Sequence, residues 1–343
     1  MLIENVVALG QRTMIHSDLF TVSWLLGRYC NYNCSYCWPH GRSDEKLYRP
    51  LKQLCDTMDE VKRQAREHEF NSFHFSFSGG EPTLYDNFGD LVSYYANDPE
   101  ANYLSLHITT NLSRGLNWWK AEFIDRVKTL NRVSITASWH PEFAKDISSF
   151  IERIKYLQDA EIDVTVNIVM IPALFNDLAQ QAAIFGNYGI TCVMKPQSNE
   201  TASALVLYTQ EQLDIMNTDI QGERHPIRFL PKAGWNIDRI TKPNQSLQVE
   251  LLDNNGGQYF IDSAEKLNAL GLNRFAGWSC CAGYRSLIIR EPAGEVKRGY
   301  SCTDVPLGTI DGGFKIFNEP TMCTTRRCVS SADSKIPKTR IYY

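Results

Sequence analysis

Residues 21–37 read TVSWLLGRYCNYNCSYC. An apolar run rich in β-branched and aromatic residues ends at Gly27, and three cysteines, Cys30, Cys34 and Cys37, follow on a polar loop with the spacing C-x3-C-x2-C. Short runs of the same kind recur at 72–78 (SFHFSFS), 103–110 (YLSLHITT), 132–138 (RVSITAS), 163–170 (DVTVNIVM) and 190–195 (ITCVMK). Amphipathic helical spacing fills the gaps at about 50–68, 86–97, 116–129, 144–159 and 174–187. Strand and helix alternate, so parallel βαβ units with right-handed crossovers are predicted, as an open sheet or a partial barrel. In both architectures functional residues collect on loops after the strands' C-terminal ends, and the cysteine loop follows the first strand in that way.

Composition narrows the class. The 343 residues are 43% hydrophobic and 22% charged, ordinary globular usage that suffices for a sizeable core. Thirty-five Lys and Arg against 39 Asp and Glu give a formal net charge of -4, without the basic footprint of a nucleic-acid binder. No run is apolar enough to span a membrane, and the N-terminal residues lack the pattern of a signal peptide, so a cytoplasmic location without membrane attachment is expected. The ten cysteines are clustered: Cys30, Cys34 and Cys37 in one group, Cys280, Cys281, Cys302, Cys323 and Cys328 in another, with Cys55 and Cys192 apart. In a reducing compartment such thiol groups read as metal sites of the iron-sulfur or zinc type. Three thiolates on a 4Fe-4S cluster leave one iron open to a small molecule. A zinc site completed by His40, three residues beyond Cys37, is the alternative.

The C-x3-C-x-aromatic-C loop, with Tyr36 as its aromatic, resembles the signature of the radical S-adenosylmethionine (SAM) enzymes. The segment SFSGGEPTLY strengthens the resemblance, because Gly79, Gly80, Glu81 and Pro82 match that family's GGEP turn after the second strand. The resemblance implies that Cys30, Cys34 and Cys37 hold a 4Fe-4S cluster whose open iron chelates SAM, and that reductive cleavage of SAM yields a 5'-deoxyadenosyl radical. The GGEP turn would bind the methionine amino group, Glu81 suiting an ammonium and the glycines letting backbone approach the ligand. Thr109, Thr110 and Asn111 after the third strand, Ser138 after the fourth and Asn167 within the fifth are further candidate SAM contacts. Trp139, His140 and Glu142, with Lys195 and Gln197 after the sixth strand, are placed at the substrate mouth, His140 as a proton acceptor and Lys195 as a partner for a carboxylate or phosphate.

The C-terminal group, in SCCAGYRSLIIREPAGEVKRGYSC and CTTRRC, resembles the auxiliary-cluster extension of radical SAM enzymes in its shorter twitch form, related to the longer SPASM form. Cys280, Cys302, Cys323 and Cys328 would ligate a second 4Fe-4S cluster. Cys281 competes with Cys280, and a zinc knuckle is the alternative. The whole is thus expected to be an α/β protein, a partial (β/α)6 TIM-type barrel with a C-terminal iron-sulfur extension. Its segments would be an N-terminal extension (1–20), the barrel (21–198), an irregular connecting region (199–275), the auxiliary-cluster region (276–330) and a tail (331–343). The function expected is hydrogen-atom abstraction from a small polar metabolite, a sugar, nucleotide or amino-acid derivative, in a net oxidation. A flavodoxin or ferredoxin would donate electrons. Only 29 residues precede Cys30, too few for a separate leader-binding domain, so a peptide substrate stands second. A non-enzymatic iron-sulfur or zinc-binding regulator is the rival of another class.

Overall fold

A computed structural model describes residues 5–37, 42–197, 206–216, 228–229, 248–261, 267, 272–302, 306–328 and 330–341. Seven strands open the chain: β1 Val6–Gln11, β2 Leu19–Leu25, β3 Ser72–Ser78, β4 Tyr103–Thr110, β5 Arg132–Trp139, β6 Asp163–Met170 and β7 Thr191–Pro196. Strands β2 to β7 pair in sequence order, all parallel. Helices Leu51–Arg66, Phe88–Ala96, Ile147–Asp159 and Phe175–Asn187 form the crossovers. This is the α/β partial barrel that the alternation predicts.

The strands obey period two. In β3, Phe73, Phe75 and Phe77 are fully buried beneath the helices, and His74, Ser76 and Ser78 face the other way, into the barrel lumen. The helix Leu51–Arg66 answers with Leu54, Met58, Val61 and Ala65, one buried stripe at helical spacing. The helix predicted over 116–129 is broken: an α-turn at Leu116–Trp118 passes into a π-turn at Trp119–Phe123 and a 3-10 turn at Ile124–Arg126. The wider turn buries Trp119 and Phe123 together, edge to face at 5.5 Å.

Ten more strands follow: β8 Arg228–Phe229, β9 Val249–Asp253, β10 Gln258–Ile261, β11 Trp278–Cys280, β12 Ser286–Arg290, β13 Glu295–Lys297, β14 Pro306–Thr309, β15 Gly313–Phe314, β16 Thr321–Met322 and β17 Lys338–Arg340. The barrel sheet is open, in the order β15-β14-β13-β12-β2-β3-β4-β5-β6-β7-β8, and β12 adds parallel to the free edge of β2. A second sheet runs β10-β9-β1-β17-β11-β16. It draws β1 from 1–20, β9 and β10 from 199–275, β11 and β16 from 276–330 and β17 from 331–343. Residues 249–261, where no rhythm is readable, form a hairpin against β1. Much of 199–275 lies outside the described residues.

The lumen is polar and internally paired. Ser76, His107 and Ser134 stand in register across β3, β4 and β5. His107 shares hydrogen bonds with Ser134 Oγ at 2.8 Å and Thr136 Oγ1 at 3.1 Å, and His74 with Ser105 Oγ at 2.8 Å. Protein surrounds both imidazoles even where part of their surface opens to the lumen. Desolvation lowers His107 from 6.5 to about 4, and cationic Lys335, Lys195 and Arg132 add to the shift; His74 is lowered in the same way. Between those pH values the unfolded chain binds more protons than the folded one, so stability falls as pH drops from about 6.5 toward 4, by up to about 3 kcal/mol for His107. Urea unfolding at pH 7.5 and pH 5 is expected to show this loss, and His107→Gln to flatten it; equal slopes in the two proteins would remove His107 as the cause.

Candidate active site

The loops after β2 and β3 are locked to each other by backbone. Leu26 N–H donates to Ser78 O at 2.9 Å, Gly80 N–H to Gly27 O at 2.8 Å and Glu81 N–H to Tyr29 O at 2.8 Å, so strand pairing continues past the strand ends up to Cys30. Such an approach leaves no room for side chains. A Cβ on Gly79, whose φ is +130°, would sit 2.3 Å from Gly27 O, and one on Gly80 would sit 2.1 Å from Tyr29 O. The two glycines therefore serve first the contact between the GGEP turn and the entry of the cysteine loop.

The far side of that loop is braced from the residues after β5. Glu142 accepts from Ser35 N–H at 2.8 Å and from Ser35 Oγ. Tyr32 stacks on Phe143, and Tyr36 stacks on His140 while its hydroxyl shares a 3.0 Å hydrogen bond with His140 Nδ1. The same hydroxyl bonds Cys34. Burial lowers His140 to about 4, so it is a neutral ring at pH 7. His140 and Glu142, placed by sequence at the substrate mouth, engage Tyr36 and Ser35 of the cysteine loop, which folds over the end of β5. On the third side Arg42 Nε donates to Cys30 O at 3.3 Å.

Cys30 receives Tyr32 N–H at 3.4 Å and Asn111 Nδ2 at 3.8 Å. Burial pushes its thiol up to about 11, that of Cys34 up to about 12, and that of Cys37 up as well, with Arg42 opposing the shift at Cys30 and Cys37. Cys30, Cys34 and Cys37 lie within electrostatic reach of one another. Free thiols here stay protonated at pH 7 and ionise only when a metal takes the sulfur. Among the described residues no group of three His, Cys, Asp or Glu side chains is gathered to hold a single metal ion, and His40 lies outside the described residues. The donor set suits a cluster with a ligand beside it, since polar hydrogens face Cys30 and one hydroxyl nearby lacks a partner. That hydroxyl is Tyr48 Oη, which is buried, without a hydrogen-bond partner among the described residues and within electrostatic reach of Glu81 and Cys30. Sequence reading passes over Tyr48, which belongs to no motif; only its ring's packing on Gly27 and Tyr85 brings it here.

Glu81 has a different occupation from an open ammonium site. It is 1% exposed, and its carboxylate accepts from Thr83 N–H at 3.1 Å, Thr83 Oγ1 at 2.6 Å, Thr110 Oγ1 at 2.8 Å and Asn111 N–H at 2.6 Å. Desolvation raises its pKa, and these four donors oppose the rise. Glu81 thereby ties the end of β3 to the end of β4 and fixes Asn111, whose side chain reaches Cys30 and Asn31. Pro82 opens the following 3-10 turn. Ser138 and Asn167 are register partners on β5 and β6, on the lumen side, and Lys195 pairs with Val169 on the same side of β7.

The second cysteine group is buried. Cys280, Cys302, Cys323 and Cys328 sit in one apolar cluster with Trp278 and Phe275, and Cys281 packs at its margin. Two residues before Cys302, the Tyr300 hydroxyl bonds Ser23 and Ser78, so this region reaches the lumen beside the GGEP turn. The loop there is held by Asp333, which accepts from Tyr300 N–H at 3.1 Å and Ser301 N–H at 2.6 Å.

Gly80→Ala is expected to force Tyr29 and Cys30 aside, destabilise the fold by about 1–3 kcal/mol and strip iron from the first cysteine group. Gly115→Ala, where an added Cβ meets nothing within 4 Å, is the control. Reconstitution followed by iron analysis and thermal melting checks this, and full iron in Gly80→Ala would refute the lock. Glu81→Gln, which sets an amide among four donors, is expected to cost about 1–3 kcal/mol in urea unfolding.

Residues 24–180 match the family model described as the Radical SAM superfamily. The GTP 3',8-cyclase of Pectobacterium atrosepticum is 30% identical over 95 residues, which are 26% of this chain and only 27% of that protein. Mycofactocin maturase MftC of Mycolicibacterium smegmatis is 21% identical over 309 residues, 86% of this chain and 68% of that protein. The solved structure of native anSMEcpe with bound AdoMet and Cp18Cys peptide superposes with a TM-score of 0.52 at 15% identity, covering 85% of this chain and 78% of that one, a likeness of fold. With the cysteine loop and the GGEP turn at adjacent strand ends of a six-stranded parallel partial barrel, and with the family's own model matching there, residues 24–180 of the chain are a radical SAM domain.

Proposed function

We propose that this radical SAM enzyme holds one cluster on Cys30, Cys34 and Cys37, a second on Cys280, Cys302, Cys323 and Cys328, and oxidises a peptide or protein side chain. When bound, the first cluster and SAM supply a 5'-deoxyadenosyl radical that removes a hydrogen atom from the substrate. The observation that carries the chemistry is the backbone lock between the cysteine loop and the GGEP turn, which has no purpose in a regulator that only stores metal. Glu81 and Asn111 act as positioning residues for Cys30, and Tyr36 with His140 brace the loop. Tyr48 offers its hydroxyl to the ligand. Ser138, Asn167 and Lys195 line the path of the substrate.

For the second site, Cys280 is the better ligand. It lies within electrostatic reach of Cys302, Cys323 and Cys328, whereas Cys281 registers only Cys280 among the thiols. Four protein ligands suit electron transfer over substrate binding, which supports a net oxidation. Electrons for the first cluster would come from a flavodoxin or ferredoxin. The choice of a peptide over the small metabolite rests on the similarity to MftC, a maturase by name, which runs through barrel and C-terminal region alike; the 95 residues shared with GTP 3',8-cyclase favour a nucleotide as the second reading.

Reconstituted, dithionite-reduced protein is expected to form 5'-deoxyadenosine from SAM without oxygen, and Cys34→Ala to form none. The wild type should hold about eight irons per chain, and the Cys30→Ala, Cys34→Ala, Cys37→Ala triple variant about half. Absence of 5'-deoxyadenosine from iron-loaded protein would refute the enzyme reading. For the substrate, the reaction is run with unlabelled SAM and size fractions of a deuterated cell extract. Deuterium in 5'-deoxyadenosine from the peptide fraction supports a peptide; transfer from the low-mass fraction alone overturns it.

A further inference from the structure

Two cations are buried beside the second cysteine group. Arg298 is 3% exposed. Its Nε donates to Ala282 O at 3.1 Å and its Nη1 to Met322 O at 3.5 Å, its guanidinium lies 5.4 Å from the Phe317 ring centroid, and Nη2 has no hydrogen-bond partner among the described residues. Lys338 is also 3% exposed, with Nζ donating to Asp333 O at 2.7 Å, Ile336 O at 2.8 Å and Ser334 O at 3.2 Å. Every acceptor these two use among the described residues is a backbone carbonyl. Elsewhere the fold treats a buried cation differently: Lys62, 4% exposed, is paired with Asp98 at 2.9 Å. An unpaired buried charge is destabilising by several kcal/mol, so an anion is called for near Arg298 and Lys338.

The groups facing them are thiols. Lys338 is the register partner of Cys280 across β17 and β11, and Arg298 Nη1 donates to the carbonyl of Met322, the residue before Cys323; in keeping with this, Arg298 lies within electrostatic reach of Cys302 and Cys323, and Lys338 of Cys323 and Cys328. A nearby carboxylate, Asp333, lies within electrostatic reach of Lys338 as well as of Cys302 and Cys328, and offsets one of the two charges. Four neutral thiols offset nothing. An iron-sulfur centre ligated by four thiolates carries net negative charge, and gains one more on reduction. The CCAG segment is shaped for this arrangement: Ala282 supplies the carbonyl that takes Arg298 Nε, and at Gly283, with φ +87°, a Cβ would sit 3.0 Å from Arg298 Cγ and 2.8 Å from the Phe317 ring.

We propose that Arg298 and Lys338 are the fixed counter-cations of the second centre and make it a better electron acceptor. The proposal rests on the reading that Cys280, Cys302, Cys323 and Cys328 hold an iron-sulfur cluster. A fixed positive charge nearby favours the more negative, reduced form by Coulomb attraction that burial leaves weakly screened.

The test uses the full chain with the first group removed (Cys30→Ala, Cys34→Ala, Cys37→Ala), so that the second centre alone is read. Iron analysis comes first: zinc in place of iron refutes the cluster reading itself, separately from the role of the cations. With iron present, the centre is titrated anaerobically with dithionite and followed by electron paramagnetic resonance. Arg298→Met is expected to lower the reduced-to-oxidised ratio at a fixed potential about tenfold, equivalent to about 59 mV for one electron, and Lys338→Met to act in the same direction. Arg298→Lys, which keeps the charge, should stay within about threefold of the parent. An unchanged ratio in an iron-loaded Arg298→Met protein overturns the proposal. If Arg298→Met fails to hold iron, retention of iron and potential by Arg298→Lys supports the counter-cation role, and loss of iron from Arg298→Lys as well overturns it in favour of packing.

Discussion

The structure depends on two backbone hydrogen bonds, Gly80 N–H to Gly27 O and Glu81 N–H to Tyr29 O. They carry the pairing of β2 and β3 beyond the strands themselves, into loops that would otherwise be free to diverge. The chain between Gly27 and Cys30 is thereby placed by the rigid sheet. Everything else around the cysteine loop is attached to this junction: Glu81 turns inward from it to hold Thr110 and Asn111, Asn111 reaches back to Cys30, and Tyr48 lies over Gly27. The two absent side chains at 79 and 80 are the condition for all of it.

A second theme is the handling of charge away from water. Glu81 is a buried carboxylate with four hydrogen-bond donors, an arrangement that stabilises it by local dipoles. Arg49 is the opposite case: its guanidinium takes Glu291 at 2.8 Å and Asp311 at 2.6 Å, and so links the loop that carries Tyr48 to the C-terminal strands. Gly294, at φ +63° in the turn between β12 and β13, leaves space for that guanidinium; a Cβ there would be 2.3 Å from Arg49 Nη2. Arg298 and Lys338, held by carbonyls beside sulfur, complete the series.

What could be read from sequence was local. The six barrel strands are legible because each alternates within itself, as Phe73, Phe75 and Phe77 do, and the GGEP turn because it is contiguous. Strand β1 is not, since a Val6–Gln11 run means little until β9 and β17 arrive from more than two hundred residues away to pair with it. His140 shows the same limit at the scale of a side chain. Its place at the end of β5 is readable, but the choice between the lumen and Tyr36 is made by the path of another loop. Tyr48, Arg298 and Lys338 belong to no motif: Tyr48 and Arg298 are visible only as polar atoms left over in a packed interior, and Lys338 only as a buried ammonium held by carbonyls.

The pairing of β12 with β2 has a consequence for how the protein is made. The outer side of β2 is paired by a strand that leaves the ribosome some 260 residues after it, and β1 waits still longer for β17. Long-range pairing of this kind is slow to form, and until it forms β2 presents an unpaired edge immediately before the cysteine loop. The nascent chain therefore displays its first three thiols on an unfinished scaffold throughout most of its synthesis. Maturation of the metal centre belongs after translation, when the C-terminal strands have docked and the site has acquired its walls.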